Sequence, residues 1–231
     1  MKLTVFHGSP RKGNTYYATS IFLDELRKSG DVSLTEFFLP KDLPVFCTGC
    51  TICFGGSHEK CPNAKYTTPI IESIIDANAL LFATPHYGAC SMPGPMKSLF
   101  DHIDFLVLTV APRPEMFDKK AFILTTGAGS AAAIKPIANY LKNCGVNRVY
   151  SKGFRLFIDK WDKMPESKQT RNEKALRRAA RRFYSSRKGR PYLSTVAFFY
   201  VIKHIIMKFV GEGNYPYDNW KEKGYFKKRP F

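Results

Sequence analysis

The chain has 231 residues, 44% hydrophobic and 24% charged, which suits a globular protein with a sizeable core rather than a disordered or fibrous one. Its net charge of +17 is uneven, because residues 1–159 carry 17 Lys and Arg against 13 acidic residues while residues 160–231 carry 19 against six. That asymmetry divides the chain into a domain over 1–159 and a basic extension over 160–231, and confines any electrostatic argument about partners to the extension.

In chain order, the first element is an apolar strand over residues 3–6. The chain opens MKLTVFHGSP and breaks into a Gly/Ser/Pro loop after about six residues, too few for a signal-peptide core, so a cytoplasmic protein is expected. The loop reads His7-Gly8-Ser9-Pro10-Arg11-Lys12-Gly13-Asn14-Thr15 and leads into a helix over 15–28 with Tyr17, Ile21, Leu23 and Leu26 on its apolar face. Hydroxyls at Ser9 and Thr15, the Asn14 amide, the Arg11 cation and a helix N-terminus form an anion nest that suits a terminal phosphate. The plainer reading is helix capping, which does not by itself call for Gly13, two hydroxyls and two cations in nine residues. Neither G-K-[ST] nor G-x-G-x-x-G is present, so neither a P-loop nor a dinucleotide fingerprint is expected.

Residues 33–38 alternate in polarity and read as an edge strand. Beyond them Cys47, Cys50, Cys53 and Cys61 follow the spacing C-x2-C-x2-C-x7-C, with Pro62 after the last and Gly49, Gly55 and Gly56 relieving the backbone between them. In a cytosolic chain such a set is metal-binding or redox-active rather than a disulfide framework. The run is the pattern used for iron–sulfur clusters. Zinc, which usually takes two separated C-x2-C pairs, and an inherited loop whose thiols hold no cluster are the alternatives.

A helix over 68–76 then precedes a strand over 79–83 and the loop Thr84-Pro85-His86-Tyr87-Gly88-Ala89-Cys90-Ser91-Met92-Pro93-Gly94. An aromatic beside glycine, with proline on both sides, can hold a flat ring against backbone amides; taken singly, Tyr87 reads as a packed surface aromatic and His86 as a solvated side chain. A helix over 95–106, a strand over 121–126, the loop Thr125-Thr126-Gly127-Ala128-Gly129-Ser130, a helix over 132–144 and a strand over 148–150 extending towards Phe154 complete the domain. Strands alternating with helices, most of the strands nearly all apolar, predict an α/β fold: a doubly wound, five-stranded parallel sheet in the flavodoxin-like order 2-1-3-4-5. In such sheets ligands bind beyond the carboxyl ends of the strands, which is where the three loops lie.

In the extension, residues 171–190 predict a basic amphipathic helix with Ala175, Leu176, Ala179, Ala180, Phe183 and Tyr184 as its stripe. It either docks on the domain or rests on an anionic membrane or an acidic protein. Residues 192–210 are more apolar, but their uninterrupted part is about ten residues against roughly twenty needed to span a bilayer, so a transmembrane helix is not expected. An interfacial helix, a lid over the site and a homodimer contact are the readings, of which the homodimer is the expectation carried forward. Nucleic acid is not expected, since no recognised binding module accompanies the charge. The tail from residue 214 to 231 carries Tyr215, Tyr217, Trp220, Tyr225, Phe226 and Phe231 among lysines and is expected to dock on its own or a partner subunit.

GSPRKGNT after the first strand, TPHYG…GPMKSLFDH after the third and TTGAGS after the fourth resemble, in order and over roughly residues 1–155, the NADPH-dependent FMN reductase family, with the cysteine loop placing the chain nearest its iron–sulfur flavoprotein branch. The resemblance implies that Ser9, Arg11, Gly13, Asn14 and Thr15 bind the phosphate end of FMN. Pro85, His86, Tyr87 and Gly88 would line the isoalloxazine and ribityl chain, and Thr126 and Gly127 would close the ring's other edge. It implies a structural pairing of Lys97 with Asp101, and NAD(P)H as co-substrate of a reductase delivering electrons to a small-molecule or protein acceptor. Backbone N–H groups in the 85–88 and 126–129 loops are expected to hydrogen-bond the ring edge. A protein carrying FMN and a [4Fe–4S] cluster on Cys47, Cys50, Cys53 and Cys61, passing electrons between partners, is the second class; a nonenzymatic module acting through its basic tail is the third.

Overall fold

The computed structural model describes residues 1–87, 91–156, 160–186 and 189–231, so Gly88 lies outside the described residues. Five parallel strands, β1 (Lys2–His7), β2 (Ser33–Phe38), β3 (Ala79–Pro85), β4 (Lys120–Thr126) and β5 (Arg148–Phe154), form one sheet in the order β2-β1-β3-β4-β5. The flavodoxin-like order read from the sequence is the order observed. β3 and β4 are almost wholly buried, whereas β2, whose polarity alternates, is the exposed edge. The register sets His7 beside Phe38 and Ala83, and Pro85 beside Thr126, so the loops leaving β1, β3 and β4 emerge at one end of the sheet.

Helices α1 (Asn14–Ser29), α2 (Ala64–Asp76), α3 (Gly94–Ile103), the short α4 (Pro114–Phe117) and α5 (Ser130–Asn143) connect the strands. On one face of the sheet, Ile70, Ile71 and Ile74 of α2, Met96 and Leu99 of α3 and Ile137 and Leu141 of α5 pack against Phe6, Leu80, Phe82 and Ile123. The other face is covered by α1 and by α6 (Glu166–Ser185), the first helix of the extension, whose Leu176, Ala180 and Phe183 share a core with Leu3, Val5, Phe22 and Phe122. Five of the expected helices begin earlier than the sequence suggests: α1 at Asn14 rather than 15, α2 at Ala64 rather than 68, α3 at Gly94 rather than 95, α5 at Ser130 rather than 132 and α6 at Glu166 rather than 171. The four-residue shift of α2 goes with Pro69, since proline favours a first turn and the expected start stood beside it; Pro69 and Pro136 both sit inside their helices.

The basic helix is therefore docked. Its apolar stripe faces the domain, and Arg177 and Arg181 close on the Glu25 carboxylate of α1, Arg177 at 3.4 Å. Burial alone would push that carboxyl up, but the two guanidiniums outweigh it and hold it below the usual carboxylate range. Lys119, just before β4, and Lys120, its first residue, reach to opposite faces of the sheet and each caps a helix C-terminus. Lys119 Nζ donates to Ile75 O (2.7 Å) and Ala77 O at the end of α2; Lys120 Nζ donates to the carbonyls of Phe183, Tyr184 (2.9 Å) and Ser186 at the end of α6.

Beyond α6 the chain forms α7 (Leu193–Val201), a π-helical segment (Ile202–Ile206), α8 (Met207–Val210) and α9 (Tyr215–Glu222). Helical backbone runs without a break from Leu193 to Val210, 18 residues of mean hydropathy 1.6. This corrects the expectation of a run too short to span: Lys203, His204 and Lys208 interrupt the apolar sequence but not the helix, which by length and composition alone could cross a membrane. The tail docks on its own chain. Trp220 is fully buried, stacks on Phe199 at 4.9 Å between ring centroids and donates its indole N–H to Leu108 O at 2.9 Å.

Candidate functional site

Two adjoining cavities open at the carboxyl end of the sheet. One, of about 560 Å³, is lined by Ser9, Arg11, Lys12, Gly13, Asn14, Thr15, Tyr17, Pro85, His86, Tyr87, Thr126, Gly127, Leu156, Lys160 and Asp162. Of the eleven residues expected to hold FMN, the ten that are described all line it. The other, of about 440 Å³, shares Ser9, Arg11, Lys12 and Thr15 with the first and continues past His7, Tyr16, Phe38, Leu39 and Lys41.

The chemistry of the shared wall follows from local structure. Helix α1 starts at Gly13 without a side-chain cap and without an acidic residue in its first turn, so its positive end is left facing the cleft beside Arg11 and Lys12. Ser9 Oγ accepts the Arg11 N–H at 3.2 Å, which leaves the Ser9 hydroxyl proton available to a ligand. Thr15, which lines the cavity as expected, also makes a structural bond. Its hydroxyl is buried and hydrogen-bonded to Thr126 Oγ1 at 2.6 Å, where it ties the first loop to the fourth.

Four of the N–H groups expected to face a bound ring, those of His86, Tyr87, Gly127 and Gly129, have partners within the protein, while Gly88 lies outside the described residues. His86 N–H donates to Thr126 O (2.7 Å), Tyr87 N–H to Ser91 O (3.0 Å), Gly127 N–H to Phe154 O (3.0 Å) and Gly129 N–H to His86 Nδ1 (3.3 Å). The bonds of His86 and Gly129 bind the third and fourth loops to each other, that of Gly127 ties the fourth loop to the end of β5, and that of Tyr87 closes the third loop on itself. His86 sits on the glycines: a Cβ at Gly129 would meet its ring at 2.5 Å, and Gly127 stands at φ 122°. Among the described residues the cavity presents the phenol of Tyr87, 40% exposed at the mouth, the cations of Arg11, Lys12 and Lys160, and the Asp162 carboxylate. Lys160 and Asp162 were not legible as site residues, since nothing in their own sequence marks them and only the chain's return from β5 brings them there.

In the second cavity His7 stacks on Phe38 (4.3 Å between centroids), and its Nε2 lies 2.8 Å from Glu36 Oε2. Burial holds the ring below its ordinary value despite the pull of Glu36, so at neutral pH His7 is uncharged and donates Nε2–H to the carboxylate.

The residues fit FMN. A phosphate meets the uncapped helix start, Ser9, Arg11 and Lys12, while Pro85, His86, Tyr87 and Gly127 line the same hollow beyond it; Gly13 adds no side chain where the two join.

The four expected metal ligands surround a separate cavity of about 290 Å³, lined also by His58, Asn63, Asp101, His102, Asp104 and Phe105, which shares no residue with the first two. Cys47 Sγ accepts the Gly49 N–H at 3.5 Å and Cys61 Sγ the Asn63 N–H at 3.4 Å. Burial raises the Cys53 thiol, and the charges of Cys47, Cys61 and Cys50 push it the same way. The donor set suits a cluster, yet among the described residues no three His, Cys, Asp or Glu side chains stand close enough to hold one ion. Thr51, β-branched, is held at φ 58° between Cys50 and Cys53, a strained conformation for such a residue. Tyr215 of α9 covers the loop so closely that a Cβ at Gly56 would lie 2.3 Å from its ring. His102 donates Nδ1–H to Ser98 O (2.8 Å) and so presents Nε2 as acceptor to the Asn63 amide (3.2 Å). Lys97 and Asp101 pair with each other, as expected of a structural couple.

A match to the NADPH-dependent FMN reductase family covers residues 1–153. An iron–sulfur flavoprotein of Archaeoglobus fulgidus is 30% identical over 102 residues, 44% of this chain and 48% of that protein, so the match spans about half of the relative's length. Among solved structures, an FMN-dependent NADH-azoreductase of Bacillus anthracis in complex with FMN superposes with a TM-score of 0.61 at 10% identity, covering 80% of this chain and 100% of that one. An NAD(P)H:quinone oxidoreductase of Methanothermobacter marburgensis gives 0.61 at 18% identity, covering 80% and 96%. At these identities the two structures speak for the fold.

Proposed function

The chain belongs to the NADPH-dependent FMN reductase family, and from that premise we propose that it is an FMN-dependent NAD(P)H oxidoreductase that passes electrons to a flavin, quinone or other acceptor. The observation that carries the proposal is the single cavity in which an uncapped helix start, two cations and a free hydroxyl proton adjoin Pro85, His86, Tyr87 and Gly127. FMN bound there supplies the redox chemistry, and the protein's part is to hold it, tune it and control access. Ser9, Arg11 and Lys12 bind the phosphate. Thr15 and Thr126 keep the first and fourth loops at a fixed separation through their hydroxyls, and His86 does the same for the third and fourth. The mouth at Tyr87 admits a flat partner, first the nucleotide and then the acceptor. Steady-state oxidation of NADH and NADPH with a benzoquinone as acceptor is expected to give the parallel double-reciprocal lines of a ping-pong cycle. Turnover no faster than that of free FMN would contradict the proposal.

One observation favours a second reading alongside the first, the four cysteines lining one cavity with N–H groups aimed at two of their sulfurs. A [4Fe–4S] cluster held by Cys47, Cys50, Cys53 and Cys61 would let the protein pass single electrons between FMN and a partner protein. Anaerobic preparation is then expected to yield about four irons and four acid-labile sulfides per chain, lost on Cys50→Ala. A stable anaerobic protein that retains FMN and carries no iron would remove this reading.

A further inference from the structure

Beyond the flavin chemistry, we propose that the helix Leu193–Val210 is a peripheral docking surface for an anionic lipid membrane, lying on the bilayer rather than crossing it. The helix turns two unlike sides outward and inward. Thr195, Phe199, Ile202 and Met207 are buried, Phe199 against Trp220 and Phe231. The outward side carries Leu193 (88% exposed), Ala197, Val201, Ile205 and Phe209 (88% exposed), spaced every four residues, with Tyr200 beside them. A four-residue spacing runs ahead of a 3.6-residue turn by about 40° per step and would wind the apolar row around the helix. The wider i→i+5 turn of the π-helical segment Ile202–Ile206 takes back part of that drift, and Val201, Ile205 and Phe209 are all exposed with Leu193. Large apolar side chains rarely remain in water in such a row.

Charge selects the occupant. Lys208 and His204 are exposed within the apolar side, and Lys203 and Lys208 edge an open hollow of about 330 Å³ at its end. From residue 190 to the C-terminus there are eight Lys and Arg against three acidic residues. Of those three, Glu212 is paired with Lys221, and Asp218 accepts the Gly213 N–H at 3.2 Å. A second copy would bring like charges together across this face, whereas an anionic headgroup layer complements them. Crossing is disfavoured because it would strip Phe199 and Met207 from the domain, and because 18 helical residues reach about 27 Å against a hydrocarbon core of about 30 Å.

The test is flotation of the full-length, FMN-loaded protein with phosphatidylcholine vesicles, with and without about 30 mol% phosphatidylserine. Binding to the anionic vesicles is expected to exceed binding to neutral ones by at least tenfold and to fall steeply at about 0.5 M salt. Phe209→Glu should reduce it at least tenfold, and Lys203→Glu with Lys208→Glu by a similar factor, with the melting temperature and bound FMN unchanged. As a readout that needs no loss of binding, Phe209→Trp should shift its emission to the blue on anionic vesicles and be quenched by brominated lipid. No binding to either vesicle at low salt would overturn the proposal. So would a stable dimer that Phe209→Glu dissociates, or membrane association that resists both salt and alkaline carbonate, the mark of a spanning helix.

Discussion

Replacing Ser9 with Ala and Arg11 with Gln together is expected to weaken FMN at least 100-fold while changing riboflavin affinity by less than about threefold. Each hydrogen bond between a charged phosphate and a donor contributes about 1.5–3 kcal/mol, and two are removed. Riboflavin lacks the phosphate and meets only the far wall of the cavity, so its binding reports whether that wall survives the substitutions. Neither residue supports the core, since Arg11 is exposed and Ser9 makes one local bond to the Arg11 backbone. Thr15 is a poorer probe despite its place in the same loop, because removing its hydroxyl also breaks the bond to Thr126 and disturbs both ligands alike. Titration of the apoprotein by flavin fluorescence quenching measures both constants. Equal losses for FMN and riboflavin would contradict the phosphate assignment.

A second large effect is expected at Phe183, which anchors the extension to the sheet. Its side chain is fully buried, packs edge-on to Phe122 (5.6 Å) and Tyr150 (5.8 Å), and lies under the Lys120 ammonium at 4.9 Å. Phe183→Ala is expected to cost about 3–5 kcal/mol, partly as lost transfer energy and partly as an unfilled cavity. For a chain of this size that lowers the melting temperature by about 8–15 °C, measurable by circular dichroism with and without FMN. A shift below about 2 °C would mean that α6 contributes little to the core and that the domain over 1–159 stands without it.

The sheet was legible because strands buried on both faces are written as unbroken apolar runs, such as Leu80–Ala83 and Ala121–Leu124, and the exposed edge β2 as an alternating one. Parallel connection then places the loops after β1, β3 and β4 together, and the resemblance of those loops to the FMN reductase family named the flavin-site residues within them. The use of the backbone amides could not be read this way, since the bonds of His86, Gly127 and Gly129 join segments far apart in the chain. The same holds for Lys160 and Asp162 at the cavity and for Tyr215 on the cysteine loop. The helix start at Ala64 was obscured by Pro69, which favours a first turn but which tertiary packing tolerates within the helix. The helix Leu193–Val210 was cut short in reading because lysine and histidine break an apolar pattern without breaking the hydrogen-bonded backbone.

The central claim, an FMN reduced directly by a nicotinamide nucleotide, is tested most directly by anaerobic stopped-flow mixing of the FMN-loaded protein with NADH and with NADPH. The expected result is loss of the oxidised flavin absorbance in a single turnover, saturating with at least one of the two nucleotides, and its return on adding a quinone. Flavin that stays oxidised with both nucleotides, yet bleaches with a reduced ferredoxin, would contradict the claim and leave an electron carrier working between partner proteins.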